Sequence, residues 1–194
     1  MIVSLKKNVL VLHGSPRKGR NTDHMLETFL EGAEKNELLD IEHVFVPALN
    51  IKPCLACFSC KSSGVCPISD DMQPWYKKIS DADSIVIGTP VHFNGVPAWL
   101  KIFIDRCQPF YYRKFFLKQT IKPKTGYLLA CCDEGKAGPF IGVEKTIEAF
   151  FYCINASLSK HYYCVLNGKH FNELVTAVDE VRALGNSVFS QLSQ

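Results

Sequence analysis

Short runs of valine, isoleucine and leucine alternate along the chain with segments whose apolar residues recur every three or four positions. Runs of this length predict strands, and a run that is apolar at nearly every position, such as 84–90, is typical of a strand buried on both faces. The three- and four-residue spacing predicts amphipathic helices. The predicted strands cover about residues 8–13, 41–46, 84–90, 126–132 and 161–166. The predicted helices cover about 21–36, 72–80, 98–107, 143–154 and 172–192.

This alternation of strands and helices favours an α/β three-layer sandwich. Parallel neighbours need right-handed crossover connections, which place helices on both faces of the sheet. We therefore expect one domain over residues 1–194, with a five-stranded parallel sheet in the order 2-1-3-4-5. A cysteine-rich loop insertion after strand 2 interrupts this regular order, and the segment from Cys54 to Cys66 is called the cysteine loop below.

Composition and charge narrow the class of protein. With 194 residues, 47% of them hydrophobic, the chain can bury a substantial core. A formal net charge of +3 is too small to indicate a nucleic-acid groove or a polybasic membrane anchor, so we expect small-molecule or protein partners. The apolar run after Lys6 and Lys7 ends without a small-residue cleavage site, which predicts a cytoplasmic protein. Nine cysteines, an odd number, favour reduced thiols, a metal site or redox chemistry over a disulfide framework.

The turn after strand 1, from Gly14 to Thr22, is rich in glycine, serine and arginine and leads into a predicted helix. At the carboxyl end of a strand, backbone N–H groups and the positive end of the next helix attract an anion. The side chains expected to bind a terminal phosphate are Ser15, Arg17, Asn21 and Thr22, of which the last two are also helix-cap candidates. An ordinary polar turn explains the same residues. Arg20 and Asn21 replace the Lys and Ser/Thr of a P-loop, which argues against nucleotide hydrolysis.

Two further loops follow predicted strands 3 and 4 and should emerge at the same edge of the sheet. They cover residues 89–97 and 131–138. Gly95 and the neighbouring polar residues allow backbone amides to approach a flat heterocycle, while Phe93 or His92 covers its face. Three loops at one edge can therefore bracket a single ligand.

The motifs in these loops resemble one family. Gly14-Ser15-Pro16-Arg17 with Asn21-Thr22, then Pro90-Val91-His92, then Leu100-Lys101-x-Phe103-x-Asp105-Arg106 are similar to the NAD(P)H-dependent FMN reductases of flavodoxin-like fold. The resemblance implies that Ser15, Arg17, Asn21 and Thr22 hold the phosphate of FMN. It implies that the isoalloxazine lies against Pro90, Val91, His92, Phe93, Asn94 and Gly95 and against Asp133, Gly135 and Gly138. It also implies a homodimer or homotetramer.

The four cysteines of the cysteine loop, Cys54, Cys57, Cys60 and Cys66, have the spacing C-x2-C-x2-C-x5-C. Within the family, this motif followed by Asp70-Asp71-Met72 resembles the iron–sulfur flavoprotein branch. The compact spacing and the proline after the last cysteine favour a [4Fe-4S] cluster. Free or redox-active thiols and structural zinc are the alternatives. The other five cysteines fall in predicted helices or strands, where buried small hydrophobic residues are expected.

These patterns lead to one main hypothesis and two alternatives. The main hypothesis is an FMN-dependent oxidoreductase that moves electrons from NAD(P)H or a ferredoxin-like donor to a small acceptor or to a cluster. A non-catalytic electron carrier or redox sensor is the second hypothesis, and a phosphate-binding hydrolase or kinase-like protein is the third. The aromatic and basic segment 110–124 is interpreted as a helix end followed by a solvated loop, or as a subunit interface, and His13 as a packing residue.

Overall fold

The computed structural model describes residues 6–33, 36–134 and 140–192. Its five strands form one parallel sheet in the order β2-β1-β3-β4-β5, which confirms the predicted sheet. The strands are β1 (Lys7–His13), β2 (Leu39–Phe45), β3 (Ser84–Pro90), β4 (Lys124–Cys132) and β5 (Ala156–Val165). The α-helices are α1 (Asn21–Leu30), α2 (Cys60–Ser63), α3 (Gln73–Asp81), α4 (Ala98–Asp105), α5 (Gln108–Phe115), α6 (Phe140–Cys153) and α7 (Val175–Leu192). Short 3-10 turns cover Val46–Ala48 and Phe171–Glu173.

Helices cover both faces of the sheet, as the three-layer prediction requires. Helices α1 and α7 pack on one face, in a core that includes Val11 and Val86 from the central strands. Helices α3, α4, α5 and α6 pack on the other face. Where α1 and α7 cross, a Cβ atom on Gly185 would lie 1.9 Å from the carbonyl oxygen of Phe29, so glycine permits this close approach. The strand order is that of flavodoxin-like folds.

Two predicted boundaries are wrong by several residues. Helix α1 ends at Leu30 rather than near Asn36, because Gly32 lies in the turn that follows, where a side chain would meet Asn186. Strand β5 begins at Ala156 rather than at His161. It is the edge strand of the sheet, and the exposed polar residues in its first half hide the apolar pattern expected of a buried strand.

The segment after α4 also differs from the prediction. Residues 108–115 form a separate helix, α5, where a helix end and a solvated loop were expected. Pro109 lies in its first turn, where a missing N–H costs nothing. The last helix begins at Val175 rather than Asn172, because a 3-10 turn precedes it. Across the described ranges, none of these helices has the length and apolar content needed to cross a bilayer.

Candidate functional site

A cavity opens at the carboxyl ends of β1, β3, β4 and β5, and we call it the edge cavity. Residues of its lining that the sequence predicted as cofactor-binding are Ser15, Arg17, Asn21, Thr22, Pro90, Val91, His92 and Asp133. The fold therefore brings the three predicted loops to one place. Gly135 and Gly138, also predicted for this site, lie outside the described residues.

The N-terminus of α1 faces this cavity without a side-chain cap. Arg20 takes the N-cap position, and its side chain makes no capping hydrogen bond, so the prediction of Asn21 and Thr22 as caps is wrong. Arg17, Arg20 and Lys169 place three cationic side chains in the lining, against one carboxylate at Asp133. The positive end of a helix together with surplus cationic charge makes a site for a phosphate dianion.

Two of the predicted phosphate ligands also hold neighbouring elements. The Oδ1 atom of Asn21 accepts a hydrogen bond of 3.1 Å from the backbone N–H of Phe171, which leaves the amide NH₂ group for a ligand. The hydroxyl of Thr22 lies 3.3 Å from the Sγ atom of Cys131, in the buried floor of the cavity. Burial raises the pKa of the Cys131 thiol, so this thiol is a neutral packing group.

A buried carboxylate that sequence reasoning missed supports the loop between β1 and α1. Asp23, in the first turn of α1, accepts hydrogen bonds from the ring of His13 at 2.9 Å and from the backbone N–H of Gly19 at 2.6 Å. Burial alone raises the pKa of Asp23, but these hydrogen bonds outweigh it and the pKa is lowered. The other ring nitrogen of His13 lies 3.0 Å from Nδ1 of His43. His13, predicted as a packing residue rather than an acid or base, thus also joins two hydrogen bonds beside the loop.

The second loop forms a tight hairpin beside the edge cavity. His92 and Gly95 exchange two backbone hydrogen bonds of 2.9 Å, and Phe93 and Asn94 both have left-handed φ values, +49° and +60°. The Phe93 side chain is fully exposed, and the cavity lining from this loop ends at His92. The Gly95 N–H, expected to approach a ligand, is bonded within the hairpin. The Asn94 carbonyl lies against α6, where a Cβ on Gly142 would approach it to 2.0 Å.

Sequence reasoning also missed a fourth loop, which follows β5. Its residues in the cavity lining are Leu166, Gly168, Lys169 and His170, next to Cys132 from the end of β4. Asp133 accepts a hydrogen bond of 2.9 Å from the Gly168 N–H, so its carboxylate joins this loop to the third one. The sequence did contain a signal for this loop. The Asn167-Gly168 turn follows directly after a predicted parallel strand, where the loops of such a sheet bind ligands.

The cysteine loop borders a second cavity, of about 330 Å³, which we call the cysteine cavity. All four cysteines of the motif line it: Cys54, Cys57, Cys60 and Cys66. The first two are exposed, Cys60 is buried and Cys66 is half-buried. Hydrogen bonds from Ser59 lower the pKa of the Cys57 thiol, whereas burial raises that of Cys60. The opposite wall comes from α5 and the end of α4, including Arg106 and Tyr112.

The cysteine cavity has the donor chemistry of an iron–sulfur site but not its final geometry. Over residues 6–33, 36–134 and 140–192, no three His, Cys, Asp or Glu side chains are arranged as ligands of one metal ion. The backbone around the thiols nevertheless includes both left-handed and right-handed conformations. Ala56 and Phe58 have left-handed φ values of +49° and +58°, and Ser59 has a right-handed helical conformation. Such alternation points successive N–H groups into a concavity, as in many iron–sulfur sites. The four cysteine thiols that line this concavity therefore supply the donor set of a thiolate-bound group.

The base of the cysteine loop is held by the acidic pair that follows it. The backbone N–H groups of Asn50 and Lys52 donate to Asp71 and Asp70 at 2.7 and 2.9 Å. Asp70 also forms a buried ion pair with Arg106. Burial alone raises the pKa of Asp70, but the hydrogen bonds from Arg106, Lys52 and Met72 outweigh it and the pKa is lowered.

Helix α5 supports the other end of the cysteine loop. The Nε atom of Arg113 donates a hydrogen bond of 2.6 Å to the carbonyl of Gly64, which has a left-handed φ of +68°. A Cβ at Gly64 would lie 2.9 Å from the Arg113 side chain, so glycine allows the contact. The aromatic and basic segment after Cys107 is thus a wall of the cysteine cavity. Its exposed face carries contacting rings of Tyr111, Phe115 and Phe116.

The sheet order, the uncapped helix after β1 and the loops around the edge cavity define a flavodoxin-like α/β protein. Comparison with known proteins agrees. A family model described as NADPH-dependent FMN reductase matches residues 7–170. The chain belongs to the NADPH-dependent FMN reductase family.

Individual relatives refine this assignment. An iron–sulfur flavoprotein of Methanocaldococcus jannaschii is 39% identical over 101 residues, which are 52% of this chain and 52% of that protein. The chain thus spans about half the length of that relative. An iron–sulfur flavoprotein of Methanosarcina thermophila is 34% identical, with 71% of this chain and 68% of that protein aligned. The structure of an NAD(P)H:quinone oxidoreductase from Methanothermobacter marburgensis shares the fold, with a TM-score of 0.68, 17% identity and 94% and 99% coverage of the two chains.

Proposed function

We propose that this protein is an FMN-dependent oxidoreductase that moves electrons from NAD(P)H or a ferredoxin-like donor to a small acceptor by way of a [4Fe-4S] cluster in the cysteine cavity. The observation that carries the proposal is the edge cavity, where an uncapped helix N-terminus and three cationic side chains meet loops from four parallel strands. Membership of the FMN reductase family supports the flavin. The names of the two archaeal relatives support the cluster.

In this proposal the first loop binds the phosphate of FMN. The N–H groups at the start of α1, the hydroxyl of Ser15 and the guanidinium of Arg17 are the donors, and the amide NH₂ of Asn21 adds one more. Thr22 contributes from the floor of the cavity. FMN supplies the ring that accepts a hydride. The chain supplies its placement, because these donors lie between the end of β1 and the first turn of α1.

The isoalloxazine then lies along the second and third loops. Pro90, Val91 and His92 line that part of the edge cavity, and Asp133 is turned toward the Gly168 N–H. With its charge partly satisfied there, Asp133 opposes a reduced flavin less than a free carboxylate would. The Phe93 ring is exposed in the hairpin next to His92, and in this proposal it offers a face for an incoming nicotinamide or acceptor.

The cluster part of the proposal assigns the four motif cysteines as thiolate ligands. A cluster of this type passes electrons singly, whereas the flavin ring takes them in pairs. Leu55 and Phe58, exposed by 72% and 63%, surround the thiols together with the exposed Lys61. A small apolar surface with a basic neighbour suits an acidic electron-donor protein.

The test is the anaerobically purified chain, examined by visible spectroscopy with iron, acid-labile sulfide and flavin measured on the same sample. We expect flavin bands, about four irons per chain and rapid NAD(P)H oxidation when a quinone is added. Arg17→Ala should weaken FMN binding about tenfold or more, because a charge-assisted hydrogen bond is worth about 1.5–3 kcal/mol. Arg182→Ala is the matched control, since Arg182 pairs with Glu31, which follows α1, and is not part of the edge cavity lining.

Other outcomes separate the competing functions. A chain that takes up no FMN contradicts the proposal as a whole. A chain with flavin but without iron contradicts only the cluster. A fully loaded chain that is reduced by dithionite but oxidises NAD(P)H slowly with every acceptor is a non-catalytic carrier or redox sensor. The matched cysteine variants are Cys60→Ser, expected to lose iron, and Cys153→Ser, expected to keep it.

A further inference from the structure

Arg106 follows α4 and is the largest fully buried side chain in the described structure. Its Nη1 atom donates to the carbonyl of Lys52 at 2.8 Å, and its Nη2 atom reaches the carbonyl of Ile68 at 3.3 Å. Lys52 precedes the first motif cysteine and Ile68 follows the last one. One guanidinium thus joins the two ends of the cysteine loop.

The Nε atom of the same side chain has no hydrogen-bond partner. It is one of two buried side-chain nitrogen or oxygen atoms without one in the residues the structure describes. An arginine Nε–H cannot lose its proton, and leaving a buried donor unpaired costs about 1–3 kcal/mol. Such an atom in a native protein requires an explanation, and an acceptor bound in the working molecule is the one that the surroundings of Arg106 favour.

The neighbouring carboxylate cannot provide that acceptor. Asp70 already receives both Nη groups of Arg106 and the backbone N–H groups of Lys52 and Met72. Four donors fill the lone-pair positions of an ionised carboxylate. Asp70 balances the charge of Arg106 but leaves its Nε–H free.

The surroundings of Arg106 show where an acceptor would come from. Arg106 lines the cysteine cavity together with all four motif cysteines. Among these cysteines, Cys66 is half-buried and lies two residues before Ile68, whose carbonyl Arg106 contacts. The carbonyl of Cys66 is itself held by the side chain of Gln73 at 3.1 Å. An anionic sulfur in this cavity is therefore the acceptor that the fold brings to the buried donor.

We propose that Arg106 is the positioning residue of the cysteine site: its Nη groups clamp both ends of the cysteine loop, and its Nε–H donates a hydrogen bond to an anionic sulfur of the thiolate-bound cluster. This inference rests on the proposed cluster. A hydrogen bond to sulfur stabilises the more negative, reduced form, so it raises the reduction potential. The clamp also limits loss of iron, because it keeps the loop ends together.

The test compares Arg106→Lys with Arg113→Lys in the full chain, purified without oxygen. Lysine keeps the charge beside Asp70 but has no Nε donor. Arg113 is the matched control, because its Nε also supports the cysteine loop through Gly64 yet its side chain is not part of the cavity lining. The measurements are iron and sulfide per chain, the rate of iron loss to a chelator, and the cluster potential from an EPR-monitored redox titration.

We expect R106K to lose iron about tenfold faster than the wild type, as for other residues that support metal ligands, and to have a more negative cluster potential. R113K should keep the wild-type potential. Equal potentials in R106K and R113K would overturn the inference while the proposed function stands. A wild-type chain that binds no iron overturns both.

A second variant guards against a folding defect. In the double variant Arg106→Gln with Asp70→Asn, both charges are removed together, so no buried charge is left unpaired. It also lacks the Nε donor, and its flavin content and thermal unfolding report whether the fold is intact. A folded double variant with the wild-type potential contradicts the inference as directly as R106K would.

Discussion

The Nδ1 atom of His13 lies 2.9 Å from the Oδ1 atom of Asp23, and this contact ties the end of β1 to the first turn of α1. Through its second oxygen, Asp23 also accepts a hydrogen bond from the N–H of Gly19, in the loop between β1 and α1. A single buried carboxylate therefore fixes the loop between the strand and the helix.

The lowered pKa of Asp23 makes stability depend on pH in one direction. The folded-state pKa lies below the unfolded value of about 3.9, so the ionised carboxylate stabilises the fold at neutral pH. That contribution is lost as the pH falls from about 4 through the folded pKa. Asp23→Asn should cost about 1–3 kcal/mol at pH 7, measured by urea unfolding.

The deficit of D23N should shrink as both proteins are unfolded at progressively lower pH, since the wild type then loses the same interaction. Asp179→Asn serves as the control, because Asp179 forms an exposed ion pair with Arg182. A deficit of equal size at pH 7 and pH 3 would contradict the role given to the carboxylate.

Lys124 makes the stability of the fold depend on pH in the alkaline range, because its charged form destabilises the folded state. Burial lowers its pKa to about 8, and its ammonium group has one hydrogen bond, to the carbonyl of Lys122. Because the unfolded chain holds this proton up to about pH 10.4, the charged lysine destabilises the fold at pH 7, and stability rises between about pH 8 and 10. Lys124→Met should therefore be more stable at pH 7, by about 1–3 kcal/mol.

The advantage of K124M should shrink as the pH rises above about 8 and be lost above about pH 10.4, where the wild-type side chain is neutral in both states. Lys160→Met, on the exposed edge strand, should leave the pH profile unchanged. A constant difference between K124M and the wild type from pH 7 to pH 10 would refute the assignment.

Gly142 is predicted to control the hairpin beside the edge cavity. In Gly142→Ala the new Cβ would lie 2.0 Å from the Asn94 carbonyl, so the hairpin must move or the start of α6 must shift. We expect a loss of about 1–3 kcal/mol in stability and weaker FMN binding by fluorescence titration. Ile141→Ala changes an exposed neighbour in the same helix, and it should bind FMN as the wild type does.

Thiol accessibility gives a further prediction for the metal-free chain. Cys54 and Cys57 are exposed, whereas Cys107 and Cys131 are buried. Brief alkylation followed by mass spectrometry should label the first pair and spare the second. Reconstitution with iron and sulfide should then protect Cys54 and Cys57, and labelling at undiminished rates after reconstitution would count against their role as ligands.

The sequence predicted the parts of the fold that depend on local pattern. The bounds of β3 were predicted at 84–90 because a strand buried on both faces shows an uninterrupted apolar run. The start of β5 was missed because an edge strand is polar where solvent reaches it. Helix α5 was missed because its mixed aromatic and basic residues pack against the cysteine loop rather than the sheet alone.

The two cavities show the same difference between features set by local sequence pattern and features set by tertiary contacts. Three loops of the edge cavity were predicted, because each follows a recognisable strand. Asp23 and Arg106 were not assigned their supporting roles, since these depend on tertiary hydrogen bonds. The contact between Arg106 and Asp70 joins residues 36 positions apart in the sequence. A pattern in the local sequence cannot predict such a contact.

Helix α4 connects the two cavities end to end. It starts just after the hairpin of the second loop, at Ala98, and Arg106 follows its last residue, Asp105. Its 8 residues give it a length of about 12 Å. The distance between the second loop and Arg106 is therefore set by the fixed rise per residue of this helix. A one-residue insertion in this helix would turn Arg106 by about 100° about the helix axis, away from the loop ends it holds, while leaving every residue of both sites in the chain.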